Sequence, residues 1–208
     1  MNKDLFVTGT DTCVGKTVLS AVLVAALNRK YWKPIQTGAY EGMDRETIMM
    51  WTHLPEERIH PEAFVFAAPL SPHLAAAQEG QKIDLQLIRR PPDPEPIIIE
   101  GAGGVFVPVN DDAFMLDLMK QLQAPIVVAT RTTLGTINHT LLTVSAIRGA
   151  GLDLRGVVMV GNENADNRRS VERYGNVAVI GSIPLLDLID HATLCGVFER
   201  HFDKTAFL

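Results

Sequence analysis

Apolar and polar positions in this chain segregate into blocks rather than alternating residue by residue. Residues 5–8 are a short apolar, β-branched run, and residues 97–99 are three successive isoleucines. Residues 125–130, 156–160 and 177–180 repeat the pattern, and residues 31–36 add another run, interrupted by Pro34. Strands that are apolar throughout are those buried on both faces, as in parallel sheets. Pro34 lacks the N–H that a central ladder needs, so it belongs to an edge strand or near a strand's end. Residues 16–28 are rich in Leu, Val and Ala with little polar surface, which suits a helix packed on a sheet. Residues 114–123, 137–150 and 166–174 are further helix candidates, with a short helix at 46–50. Strands alternating with helices predict a three-layer α/β fold, a mainly parallel central sheet flanked by helices. The run Arg89-Arg90-Pro91-Pro92-Asp93-Pro94-Glu95-Pro96 is a stiff connector too short to separate domains, so one domain over residues 1–208 is expected.

Composition narrows the function classes. Net charge is −5, and without a basic surplus nucleic acid is not an expected partner. The two cysteines, Cys13 and Cys195, form neither a metal-type pair nor a disulfide framework. No apolar run approaches the ~20 residues that span a bilayer. Met1-Asn2-Lys3-Asp4 leads straight into the first strand and leaves no room for a signal peptide. A soluble, cytoplasmic protein without a membrane partner is expected.

Candidate chemistry gathers in the loops after the strands, where open parallel sheets bind ligands. The first is Gly9-Thr10-Asp11-Thr12-Cys13-Val14-Gly15-Lys16-Thr17-Val18, a small-residue loop between a strand and a helix. Backbone N–H groups of residues 12–17 would cradle phosphates at the helix N-terminus. Lys16 would reach the β- and γ-phosphates, and the Thr17 hydroxyl would hold Mg²⁺. The strict phosphate-loop pattern has Gly where Thr10 stands, so this is a variant form. Glu100 closes the isoleucine strand ahead of Gly101-Ala102-Gly103-Gly104, placed to face that loop and bind Mg²⁺. Lys33 offers a second ammonium for charge developing on a transferred phosphoryl group. Asp44 and Glu46 could complete the metal shell or simply suit a helix dipole, and the residues alone leave both open. Leu134-Gly135-Thr136-Ile137-Asn138-His139 opens a helix that could receive a carboxylate, or is a plain connection. The segments Gly161-Asn162-Glu163-Asn164 and Ser182-Ile183-Pro184-Leu185-Leu186 suit a nucleobase edge or ordinary turns. His73 and His139 have no partners at zinc-ligand spacing.

Taken together, the phosphate loop, Lys33-Pro34-Ile35-Gln36-Thr37-Gly38, Ser71-Pro72-His73, Ala77-Gln78-Glu79-Gly80, Glu100-Gly101-Ala102-Gly103-Gly104, the 134–139 loop and Gly181-Ser182-Ile183-Pro184 resemble the dethiobiotin synthetases, in family order over residues 5–186. The resemblance implies a P-loop NTPase-like fold and a homodimer using ATP, Mg²⁺, CO₂ (or bicarbonate) and 7,8-diaminopelargonate. It assigns Lys33, Lys16 and Thr12 to catalysis. ATP would be held by Cys13, Val14, Gly15, Lys16, Thr17, Val18, Glu100, Gly101, Ala102, Gly103, Asn162, Pro184, Leu185 and Leu186. Thr12 and Thr37 would contact the diamine or its carbamate, while Leu134, Gly135, Thr136, Ile137 and Asn138 of the partner subunit would take its carboxylate tail. Thr17, Glu100 and Glu46 would serve the metal, Glu46 standing where the family has Asp. Further departures are Cys13, where many relatives have Glu or Gly, and the 161–164 loop. The rival reading is a nucleotide-switch ATPase of the partitioning and cell-division type. Such proteins usually carry an early second lysine that Gly9-Thr10-Asp11 lacks, and residues 195–202 lack a basic membrane-binding face.

Overall fold

Successive side chains of a strand point to opposite faces, so each apolar run builds two cores. A computed structural model of the chain, describing residues 4–207, carries this through. Seven strands form one sheet in the order β4-β2-β6-β1-β7-β8-β9, every neighbouring pair parallel. These are β1 (Leu5–Gly9), β2 (Lys30–Trp32), β4 (Ile59–His60), β6 (Ile97–Gly104), β7 (Ile126–Arg131), β8 (Leu154–Val160) and β9 (Val179–Ile183). Ile97 and Ile99 enter one core with Phe6, Ile126 and Val128, against α3 (Pro72–Gln78), α4 (Met115–Leu122), α5 (Thr136–Gly149) and α6 (Ala165–Gly175). Ile98 enters the other with Leu5, Val7 and Val127, against α1 (Lys16–Leu27), α2 (Asp44–Thr52) and α7 (His191–His201). The three layers are those that the pattern predicts.

Several boundaries move, each for a local reason. The run at 31–36 is not one strand. The chain leaves the main sheet at Lys33-Pro34, and β3 (Ile35–Gln36) pairs with β5 (Phe64–Val65) in a separate two-stranded sheet. The Pro34 carbonyl accepts the Ala63 and Phe64 N–H groups at 2.9 and 3.1 Å, which holds that turn. β6 does not stop at Glu100 but runs on through four glycine-rich positions. Gly101 must be glycine, because a Cβ there would meet the Phe6 ring at 2.8 Å. β9 is shifted towards the C-terminus relative to 177–180, carrying Gly181 and Ser182 within the strand. The connector at 89–96 is strapped down by Arg90, whose guanidinium donates to the carbonyls of Pro91, Asp93 and Glu95 as well as to Asp4.

β1 has β6 on one side and β7 on the other, so the chain winds away from it in both directions. The crevice beyond its C-terminal end is the binding position expected of such a sheet. One element without a sequence forecast, α7, lies on the α1 face. Asp190 caps it by accepting the Thr193 N–H at 2.8 Å, and Phe198 stacks on Phe202 with ring centres 5.1 Å apart. Phe207 closes on Phe198 at 5.4 Å. Phe198→Ala should lower unfolding stability by about 3 kcal/mol, read from the urea midpoint. A loss below about 1 kcal/mol would mean that α7 adds little to this core.

Candidate active site

The loop at 10–15 turns the chain from β1 into α1. Gly15, in the left-handed region at φ 91°, starts the helix without a side-chain cap, and the first turn holds no acid. Its N–H groups therefore remain for an anion. A Cβ on Gly15 would meet the Val160 side chain at 2.7 Å, so the loop passes directly over the end of β8. Asp11 organises the loop from within. Its carboxylate accepts the Thr12 N–H at 2.7 Å and Arg131 at 2.8 Å, and its carbonyl accepts the Lys16 ammonium at 3.0 Å.

Opposite stands a cluster of four charged and polar side chains from four elements. The Thr17 hydroxyl on α1 lies 2.7 Å from Asp44 Oδ1 and 3.0 Å from Glu100 Oε1. The Lys33 ammonium, just past β2, sits between the same two carboxylates, bonded to Asp44 and 3.5 Å from Glu100. Tyr31, wholly buried, donates its hydroxyl to the other Glu100 oxygen at 3.1 Å. Gln36 accepts the Asp44 N–H at 3.3 Å and donates to the Thr37 carbonyl at 2.7 Å, tying the start of α2 to the loop after β3.

Electrostatics follows from this packing. Burial, with Lys33 nearby, lowers the Lys16 pKa. Burial acts on Lys33 in the same sense, but Glu100 and Asp44 outweigh it and hold the ammonium above its ordinary value. Burial opposes the charge on Asp44, yet Lys33 and the Thr17 hydroxyl together bring its carboxyl below the usual range. Burial first, then Glu100, raises the Tyr31 hydroxyl well above its ordinary value, so it keeps its proton and donates. The result is two ammonium groups balanced by two carboxylates at a helix N-terminus.

These groups line one cleft of about 780 Å³. Of the expected site residues, Thr12, Cys13, Gly15, Lys16, Thr17, Val18, Lys33, Thr37, Glu100, Ala102 and Gly103 line it. Val14 is buried beneath the loop, and Gly101 lies within the core. Glu46 stands exposed and outside the cleft, while Asp44 reaches Thr17 and Lys33. The reason is helix phase: α2 starts at Asp44, and two residues further on the side chain points roughly 200° away. Asn162 and the 184–186 segment lie outside the cleft lining, although the Gly161 N–H to Ile183 carbonyl bond at 2.9 Å joins their two loops beside Val160. Residues 134–138 also lie outside it: Leu134 is fully exposed, and Thr136 is buried with its hydroxyl on the Arg131 carbonyl. Sequence reasoning passed over Tyr31 and the Asp11–Arg131 pair. Arg131 sits at a strand's C-terminal end, the same signal that marked Lys33, whereas Tyr31 reads as an ordinary core residue.

Comparison with known proteins adds to this geometry. A family model described as an AAA domain matches residues 3–193. The chain is 48% identical over 195 residues to an ATP-dependent dethiobiotin synthetase of Paramagnetospirillum magneticum, covering 94% of each. It is 40% identical over 208 residues to another of that name from Rhodopseudomonas palustris, covering 100% of this chain and 98% of the relative. Among solved structures, a ParA family ATPase from Chlorobium tepidum superposes with a TM-score of 0.56 at 11% identity, covering 99% of this chain and 96% of that one. At that identity the likeness concerns the fold alone.

Gly15→Ala should strain the loop both through its positive φ and against Val160. A stability loss of about 1–3 kcal/mol is expected, together with at least tenfold weaker nucleotide binding, roughly 1.4 kcal/mol. Calorimetric titration with ATP and a thermal melt check both, and wild-type values in both would remove Gly15 from the cradle.

Proposed function

The chain belongs to the ATP-dependent dethiobiotin synthetase family, and from that premise we propose how its own residues carry out the ligation. The enzyme is an ATP-dependent ligase that forms carbon–nitrogen bonds, and the whole chain acts as one ligase domain in the cytoplasm. One amine of 7,8-diaminopelargonate adds to CO₂ and loses a proton, giving a carbamate. A carbamate oxygen attacks the γ-phosphorus of ATP and ADP leaves. The second amine attacks the carbonyl carbon of the resulting carbamic-phosphoric anhydride, phosphate departs, and the ureido ring of dethiobiotin is closed.

The observation that carries this reading is the pair of ammonium groups flanking one helix N-terminus, Lys16 on the phosphate loop and Lys33 across the cleft. Lys16 exchanges the Asp11 carbonyl for the phosphate oxygens. Two carboxylates and a hydroxyl are hard oxygen donors, which fit magnesium. Thr17, Asp44 and Glu100 would hold it, with Asp44 in place of Glu46, and it would supply positive charge against the phosphates there. Tyr31 keeps Glu100 turned towards that position. Lys33, between Asp44 and Glu100, would donate to the carbamate and to the moving phosphoryl group. Thr12 and Thr37, both in the lining of the cleft, would contact the diamine or its carbamate.

The carboxylate tail falls to Leu134, Gly135, Thr136, Ile137 and Asn138 of the partner subunit in a homodimer. Support for the dimer is that Leu134 is wholly exposed and Leu142 on α5 largely so. Asn162 and Pro184, Leu185 and Leu186 take the nucleobase side, next to Val160 and Gly15. The rival, a nucleotide-switch ATPase of the partitioning and cell-division type, has only the shared fold in its favour.

Purified protein should release phosphate from ATP, in the presence of Mg²⁺ and bicarbonate, only when the diamine is added. Release indifferent to the diamine would count against the reading. Lys33→Gln should keep ATP binding within about twofold and lower turnover at least ~100-fold, the loss expected for one donor to the transition state. Unchanged turnover would take Lys33 out of the mechanism.

A further inference from the structure

Thr130, one residue before the end of β7, is fully buried and takes no part in the reaction proposed above. Its Oγ1 lies 3.3 Å from Thr10 Oγ1 in the phosphate loop, and 2.9 Å from both Thr136 Oγ1 and Thr140 Oγ1 on α5. Donor directions follow by elimination. Thr136 commits its single proton to the Arg131 carbonyl, 2.5 Å away, so Thr130 must donate to Thr136. A hydroxyl has one proton and two lone pairs, and Thr10 and Thr140 therefore donate to Thr130. Three of the hydroxyls form one directed chain from loop to helix, Thr10 to Thr130 to Thr136, with Thr140 donating into its middle, and each bond polarises the next. Arg131 adds a second tie. Its guanidinium donates to Asp11 Oδ2 at 2.8 Å, while Asp11 holds the Thr12 N–H and the Lys16 ammonium. The end of one strand thus grips both the phosphate loop and the start of α5.

We infer that Thr130 and Arg131 are positioning residues that couple the phosphate loop to the start of α5, so that ordering either favours the ordered state of the other. The inference rests on the dimeric synthetase reading above, in which the start of α5 receives the tail of the substrate in the partner's site. A tail held at one subunit's α5 then settles that same subunit's phosphate loop, and the two sites of the dimer communicate through Thr130. A ligand that has already ordered the shared elements leaves less entropy for the second to lose.

The test measures the Kd of ADP with Mg²⁺, with and without saturating 7,8-diaminopelargonate. ADP lacks the phosphoryl group that would touch the substrate directly. The proteins are wild type, Thr130→Val, Thr130→Ser and Arg131→Met. The diamine should tighten ADP binding about fivefold or more in wild type and Thr130→Ser, which keeps the hydroxyl, and about twofold or less in the other two. No tightening in wild type, or equal tightening in all four proteins, overturns the inference. If Thr130→Val does not fold, Arg131→Met decides, since its side chain is partly exposed. Diamine-dependent phosphate release by wild type is measured alongside. Its absence defeats the synthetase reading, whereas its presence with equal factors defeats only the coupling.

Discussion

Charge neutrality at the rim of the sheet is the constraint on which the rest of the site depends. Lys16, Lys33 and Glu100 are buried and Asp44 is largely so. Removing an ion from water costs several kcal/mol even after relaxation, and the cost is offset only when opposite charges meet with good hydrogen bonds. Four chain segments must therefore arrive together: the phosphate loop, the end of β2, the first residue of α2 and the middle of β6. Lys33 can be buried because Asp44 is there, and Asp44 is there because Gln36 holds its N–H at the start of α2. The path of residues 33–44 is set by this balance more than by any local propensity, and the same balance keeps two ammonium groups ready for a polyanion.

The layers of the fold were legible because the strands are buried on both sides. Ile97, Ile98 and Ile99 serve opposite cores in turn, and a run with no polar position admits few other readings. β4 and β5 were not legible, since two residues make no period and only the neighbours that pair with them create the strands. α3 had a signal in Ser71 followed by Pro72 at the first helical position, but its seven residues are too few for periodicity to speak. In α7 the spacing of Leu194, Val197 and Phe198 is helical, yet the stripe is one turn wide and gains its stability from packing on α1. The split of 31–36 into two strands needed knowledge of where β5 lies, which no local pattern contains.

The site divides in the same way. Lys16 and Thr17 could be read from a motif, and Lys33 and Glu100 from their places at the ends of strands. Helix phase separates Asp44 from Glu46, and phase depends on where α2 begins. Tyr31 is invisible beforehand because its hydroxyl matters only once β2 and β6 are in register, bringing it beside Glu100. Residues 134–138 do not line the cleft of their own chain, so on the dimeric reading their role belongs to an assembly.

A shared fold by itself leaves open whether a site transfers a phosphoryl group to an acceptor or only hydrolyses. The difference lies in what stands beyond the γ-phosphate. Here the chain leaves the main sheet at Lys33-Pro34, and Gln36 at the end of β3, the loop after it and residues 69–72 add lining to the cleft beyond the phosphate loop. Lys33 lines the cleft together with the phosphate loop and with residues 36–38 and 69–72. A site that only hydrolyses needs a positioned water, whereas an acceptor of several carbons needs an enclosed extension with a cation at its mouth. On the proposed reading, the departure of β3 from the central sheet supplies the extension beside that cation, because a continuous strand through Pro34 would carry residues 35–38 along the sheet instead of into the cleft lining.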